Sequence, residues 1–418
     1  MNERLLQFIW QFQYFNRNQL RTDEGETLEI ISQGSLNHDQ GPDFLNGTIR
    51  IGHTTWAGNI ELHLRSSDWK RHGHTEDPNY RNVILHVVWD NDLPVAQFPT
   101  FTLKDRVPKH LLERYDYLMQ GALKQACSGF LPALSQLAWV SWKERLLAER
   151  LERRATNIFA LLQQSNQHWE EVLWWMLSFN FGMKVNGAAF EAMARSLPIT
   201  VLAKHRNQVI QLEALILGQA NLLNGSYQDR YAGMLQKEYR FLARKYSLRP
   251  HTVLPHFLRM RPANFPTVRL AQLAMLVKQS SQLFSQVREM KTTRELKAML
   301  NVTANDYWHY HYVFDEETAF LPKHLGEQMA ENIIINTIAP LLFAYGLYTR
   351  QEEVKDKAVH WLQQLRAEQN AITRLWTAAE VSNRSAFDSQ SLIELTNQYC
   401  NHQRCLECAV GNKVLGAG

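Results

Sequence analysis

Apolar side chains recur at helical spacing from the first residues. Leu5, Leu6, Ile9, Trp10, Phe12 and Phe15 fall on one broad face of a helix predicted over Glu3–Phe15. The period then shortens to two. Leu28–Ser32, Phe44–Ile51 and Gly58–Leu64 read as strands, separated by Gly34–Gly41 and by a turn at His53-Thr54-Thr55. A polar, proline-interrupted stretch, Ser66–Tyr80, is a poor helix former and leads to Val83–Trp89, an unbroken apolar run of the kind a strand covered on both faces shows. Val95–Leu103 carries Pro99, which predicts an edge strand.

From about Pro108 the helical period takes over, predicting helices over His110–Gln125, Ser141–Gln163, Trp169–Phe181, Ala188–Ser196, Thr200–Leu215, Asp229–Tyr246, Val268–Gln286, Glu295–Leu300, His324–Tyr345 and Val354–Gln364. Pro198, Pro250, Pro262, Pro266 and Pro340 punctuate them. The expected fold is α+β: a mixed sheet domain over 1–107, a helical domain over 108–395 and a cysteine-rich segment over 396–418.

Composition narrows the class. With 45% apolar and 21% charged residues in 418, the chain is an ordinary globular one. No stretch of twenty uninterrupted apolar residues occurs, and the charged opening Met1-Asn2-Glu3-Arg4 lacks a signal core, so a cytoplasmic protein without a membrane span is expected. A net charge of +4 permits a polyanionic partner such as a nucleic acid without demanding one.

Several motifs are long and specific: Gly41-Pro42-Asp43-Phe44, Glu61-Leu62-His63, Ser66-Ser67-Asp68-Trp69, Asn82 to Val88, Gly218-Gln219-Ala220, Arg261 to Pro266, and Tyr399-Cys400 to Cys408. In these the chain resembles, nearly end to end, the domain of unknown function 2851 family. That resemblance implies no activity, so function has to come from the residues.

Asp43 opens one predicted strand, and Glu61 and His63 share a face of the next, because side chains two apart point the same way. Two carboxylates suit a hard cation, Mg²⁺ or Mn²⁺, and a polar neighbour can position the water it activates. The pattern is similar to the PD-(D/E)xK nuclease superfamily, whose core runs helix, three-strand meander, helix, strand. The resemblance implies catalytic and metal-binding roles for Asp43 and Glu61, with His63 standing where that superfamily has Lys. A rival set is Asp68, His72, His74 and Asp77 with His86 on the following strand, donors suited to Zn²⁺, Mn²⁺ or Fe²⁺. The plain alternative is a capped turn and an ordinary ion pair on a solvated sheet face.

In the helical half, Arg259, Arg261 and Arg269, with Lys237, Arg240, Arg244 and Lys245 nearby, could hold phosphates, or could be solvated faces around a rigid loop. Tyr307-Trp308-His309-Tyr310-His311-Tyr312 could stack on bases or pack internally. The chain has four cysteines, Cys127, Cys400, Cys405 and Cys408, a ligand count that fits tetrahedral Zn²⁺ or a [4Fe–4S] cluster; His402 could replace Cys127. In certain PD-(D/E)xK nucleases one early and three late cysteines hold such a cluster, and the likeness here is in ligand order.

Three functions are compatible with these residues. The first is a metal-dependent hydrolase, most simply a nuclease with the helical half as substrate platform. The second is a non-catalytic scaffold that binds nucleic acid or protein. The third is a hydrolase or oxygenase using a His/Asp transition-metal site.

Overall fold

The computed structural model describes residues 1–37, 39–95, 97–120, 127, 134–258, 260–279 and 282–416. The chain is α+β, a sheet region followed by a mostly helical part. It divides into two compact units. One comprises Met1–Trp142, Ala378–Val381 and Glu394–Gly418; the other comprises Lys143–Thr377 and Ser382–Ile393. The composition change at Pro108 is therefore not the boundary: helix α3 (Lys109–Gln120) and the cysteine-rich segment both belong to the first unit.

Helix α1 (Glu3–Gln11) starts where the Asn2 side chain accepts from the Leu5 N–H, and buries Leu5, Leu6, Phe8, Ile9 and Trp10 along one side. It stops four residues before the predicted Phe15. Six strands follow: β1 (Leu28–Ser32), β2 (Ser35–Leu36), β3 (Phe44–Ile51), β4 (Thr54–Arg65), β5 (Val83–Asp90) and β6 (Thr100–Thr102). The sheet order is β1-β3-β4-β5-β6, with β2 paired to β3 inside the segment expected to be a plain loop. β1, β3 and β4 form an antiparallel meander, whereas β5 and β6 run parallel to β4. The turn before β4 is shorter than expected, since Thr54 and Thr55 already pair with Ile51 and Arg50.

The β4 to β5 connection positions the functional side chains. A parallel pair requires a crossover, supplied here by residues 66–82 with helix α2 (Asp68–Arg71) and a 3₁₀ turn over Pro78–Tyr80. Trp69 pins this crossover, buried with Val83 and Val95 and packed on Phe98, ring centroids 4.3 Å apart. At its far end the Asn82 carbonyl accepts from Asn59 N–H and lies so close to Gly58 that a Cβ there would stand 2.5 Å away.

The second unit is helical around one extended apolar core. Trp169–Phe181 matches its expected bounds, but two expected helices are each divided: Thr200–Leu215 into Ile199–His205 and Val209–Gln219, and Val268–Gln286 into Pro266–Gln279 and Leu283–Glu289. Pro340 does not interrupt the helix Glu327–Thr349, which contains a π turn at Ile334–Ile338. This helix is long and apolar enough to cross a membrane, and most of it is buried inside the unit, with Ile333, Ile338 and Leu342 in the core.

Candidate metal centre

Register brings the site together. Glu61 lies opposite His86 across the parallel β4–β5 pair, and His63 is two residues on, so Glu61, His63 and His86 share one sheet face. The crossover folds over that face. His72 ends α2, and Gly73, in the left-handed region at φ +76°, reverses the chain so that His74 also turns inward, its ring stacked on Tyr80 at 3.8 Å. Donor atoms of His63, His72 and His74 all lie within 4.8 Å of one another.

The individual distances bring these donors close together. His63 Nε2 is 3.2 Å from His72 Nδ1 and 3.5 Å from Glu61 Oε1, which is also 3.5 Å from His74 Nε2. A tetrahedral ion with bonds of about 2.0–2.1 Å has ligand atoms about 3.3–3.4 Å apart, and these three separations lie close to that value. His86, fully buried, meets His63 Nδ1 through its Nε2 at 2.9 Å. That contact fixes which nitrogen of His63 faces the cluster, as a supporting partner does for a ligating imidazole.

Electrostatics agree with this division of roles. Burial, reinforced by the other imidazoles and Arg71, holds His63 down at about 2, and burial with His74 nearby holds His86 at about 4. Burial also lowers His74. These rings are neutral, with lone pairs available. Burial raises both Asp43 and Glu61, and the neighbouring Asp43 charge raises Glu61 further.

Asp43 and Glu61 are adjacent, and hydrogen bonds take up both Asp43 oxygens and one Glu61 oxygen. The Asp43 oxygens accept from Gln7 Nε2 at 2.8 Å and from Leu62 N–H at 3.1 Å, and Glu61 Oε2 accepts from Asp43 N–H at 3.0 Å. Glu61 Oε1 alone points at the imidazoles. Members of the two donor sets that the sequence offers as rivals, Glu61 and His63 from one and His72 and His74 from the other, thus meet at one place. Asp77 stands apart as the cap of the Pro78–Tyr80 turn, accepting from Asn79 N–H, and Asp68 accepts from Arg65 N–H and pairs with Arg71 at 2.9 Å. Gln7, Trp69 and Tyr80 shape the site and carry no sequence signal beyond their own local patterns.

A family model described as protein of unknown function (DUF2851) matches residues 3–371. The chain belongs to that family. Comparison with curated proteins and with solved structures gives no match.

In this DUF2851 protein two of the three arginines can be placed among the described residues. Arg259 lies outside the described residues, Arg261 is exposed before a 3₁₀ turn, and Arg269 is buried, donating to Gln272 and Asn264 beside a cavity of about 1020 Å³. The aromatic run packs within the second unit: Trp308 is fully buried and donates to Glu213 at 3.0 Å, and Tyr307 stacks on Tyr231 at 4.2 Å. Tyr310 remains exposed.

Proposed function

We propose that this protein is a metal-dependent hydrolase whose ion is a transition metal held by His63, His72 and His74, with one position left for water and Glu61 beside it. The carrying observation is the convergence of three imidazole donors within 4.8 Å of one another, with Glu61 Oε1 3.5 Å from two of them. Imidazole-rich donor sets favour Zn²⁺, Mn²⁺ or Fe²⁺ over Mg²⁺, which takes oxygen ligands and retains water. An ion bound there supplies a Lewis acid and a water acidic enough to attack at neutral pH. The exposed His72 edge leaves that side open to solvent.

A phosphodiester of a nucleic acid is the substrate class we propose. The order helix, antiparallel meander, short crossover and parallel strand, with Asp43 leading β3 and Glu61-x-His63 on β4, resembles the PD-(D/E)xK core and supports this reading. Arg71, exposed and braced by Asp68, lies close enough to His63 to act on it electrostatically, and gives the mouth a positive charge suited to phosphate. On this reading Asp43 positions Glu61 and the first turn of β3.

The test is metal analysis of purified protein, followed by chelation and reloading with Zn²⁺, Mn²⁺, Fe²⁺ or Mg²⁺ and assay on single- and double-stranded DNA and RNA. Hydrolysis restored by a transition metal and abolished in Glu61→Gln is expected. Equal turnover in the wild type and Glu61→Gln would sink the hydrolase. A tightly held ion without turnover on any substrate would favour the scaffold.

A further inference from the structure

A second set of soft ligands sits in the first unit, independent of the imidazole centre. The chain contains four cysteines, three within its last twenty residues and one at 127. The fold gathers all of them. Cys400 feels Cys127, Cys405 and Cys408; Cys408 feels Cys127 and Cys405; and Cys127 feels Cys405, so every one of the possible pairs is within electrostatic reach. Unrelated thiols scattered over a chain of this length have no reason to meet at one point.

The surrounding backbone is built for them. Left-handed Gln403 turns the chain between Cys400 and Cys405, and its side chain donates to the Met119 carbonyl of α3 at 3.1 Å. The N–H groups of Val410 and Gly411 donate to the Cys408 sulfur. Gly411 is required because a Cβ there would stand 2.1 Å from the Cys405 carbonyl. The closing helix Ala409–Gly416 is then fixed by Tyr14 Oη donating to Asn412 at 2.7 Å and by Arg114 donating to the Val414 carbonyl.

We infer that Cys127, Cys400, Cys405 and Cys408 ligate a [4Fe–4S] cluster that ties the last segment of the chain to the first unit. His402 is exposed on its 3₁₀ turn, so the fourth ligand is the distant cysteine. The spacing fits a cluster better than a single zinc ion. Four sulfurs around one Zn²⁺, with bonds of about 2.3 Å, would stand about 3.8 Å apart. Among the described residues His63, His72 and His74 form a group of three donors within 4.8 Å, and the sulfurs form no such group. A cubane, itself several ångströms across, needs its thiolates further apart than a single ion does.

The decisive experiment is anaerobic purification of the full chain, with reconstitution by ferrous iron and sulfide under a thiol reductant. Visible absorption, iron, acid-labile sulfide and zinc are then measured. About four irons and four sulfides per chain are expected, with a brown chromophore. Cys127→Ser and Cys405→Ser should lose most of the iron and melt at lower temperature, while His402→Ala keeps both. A colourless protein with one zinc overturns the cluster, and a metal-free protein that melts identically to Cys405→Ser overturns the site. Where a variant does not fold, the iron and sulfide content of the wild type decides alone. None of these readouts depends on hydrolytic activity.

Discussion

Glu61 in the first unit and Glu213 in the second are both buried carboxyls, 4% and 0% exposed, and their surroundings differ in one respect. Glu213 is saturated: Tyr231 Oη and Trp308 Nε1 donate to Oε2 at 2.8 and 3.0 Å, and Asn305 Nδ2 donates to Oε1. Glu61 is satisfied on one side by Asp43 N–H, while Oε1 faces imidazole nitrogens at 3.5 Å, beyond a good hydrogen bond. Burial therefore does not distinguish a structural carboxylate from a ligand. The distinguishing feature is whether the remaining oxygen has a partner at hydrogen-bond distance: Glu213 Oε1 has Asn305 Nδ2, whereas the imidazole nitrogens facing Glu61 Oε1 stand at 3.5 Å.

The largest effect expected from this contrast is on metal affinity. His63→Ala removes the central imidazole and should weaken binding by at least about 100-fold, more than the loss of a supporting residue does. Glu213→Gln should leave affinity unchanged. Competition with a chromophoric chelator measures both, and equal affinity in the wild type and His63→Ala would break the assignment of the centre.

Next comes stability against pH. Burial lifts Glu213 from its ordinary 4.5 to about 7. Between those values the folded chain holds a proton that the unfolded chain has released, so this contribution is full below pH 4.5 and lost as pH rises through 7. Wild type should lose about 2–3 kcal/mol across that interval relative to Glu213→Gln, read from urea midpoints at pH 4.5 and 7.5. Parallel pH curves for the two proteins would contradict the raised carboxyl.

A smaller effect is expected one step from the ion. His86→Phe keeps the volume beside Trp69 but frees His63 Nδ1, and should cost about 10- to 100-fold in affinity, in the range of supporting partners. The smallest is Asp77→Ala, which removes the cap of the Pro78–Tyr80 turn and should cost about 0.5–1 kcal/mol in thermal or urea unfolding, with metal affinity unaltered. A large loss of metal in Asp77→Ala would make Asp77 a ligand.

Much of the sheet was readable from period alone. β1 and β3 have the predicted bounds, and Glu61 and His63 share a face because strand geometry leaves no other arrangement. The merging of Glu61 and His63 with His72 and His74 was not readable, because it depends on how residues 66–82 fold back. Trp69 packing and the backbone at Gly73 set that path, and neither leaves a periodic trace. The break between Ile199–His205 and Val209–Gln219 falls at Arg206-Asn207-Gln208, where no Gly or Pro marks it. Glu213 lies within Leu212 to Leu217, so its partners, distant in sequence, give it no motif. The cysteines were recognisable as a set by their count and spacing alone.

The first unit is drawn from segments far apart in sequence, Met1–Trp142 with Ala378–Val381 and Glu394–Gly418, and this sets an order on its making. The imidazole centre draws its side chains from 61–86, an early and contiguous stretch, and can be complete while most of the polypeptide is still to be synthesised. The cysteine set waits for Cys400, Cys405 and Cys408, by which time the whole of Lys143–Thr377 has left the ribosome and can have folded. A chain cut short before Cys400 would thus hold the imidazole cluster and the helical unit with three of the four cysteines missing.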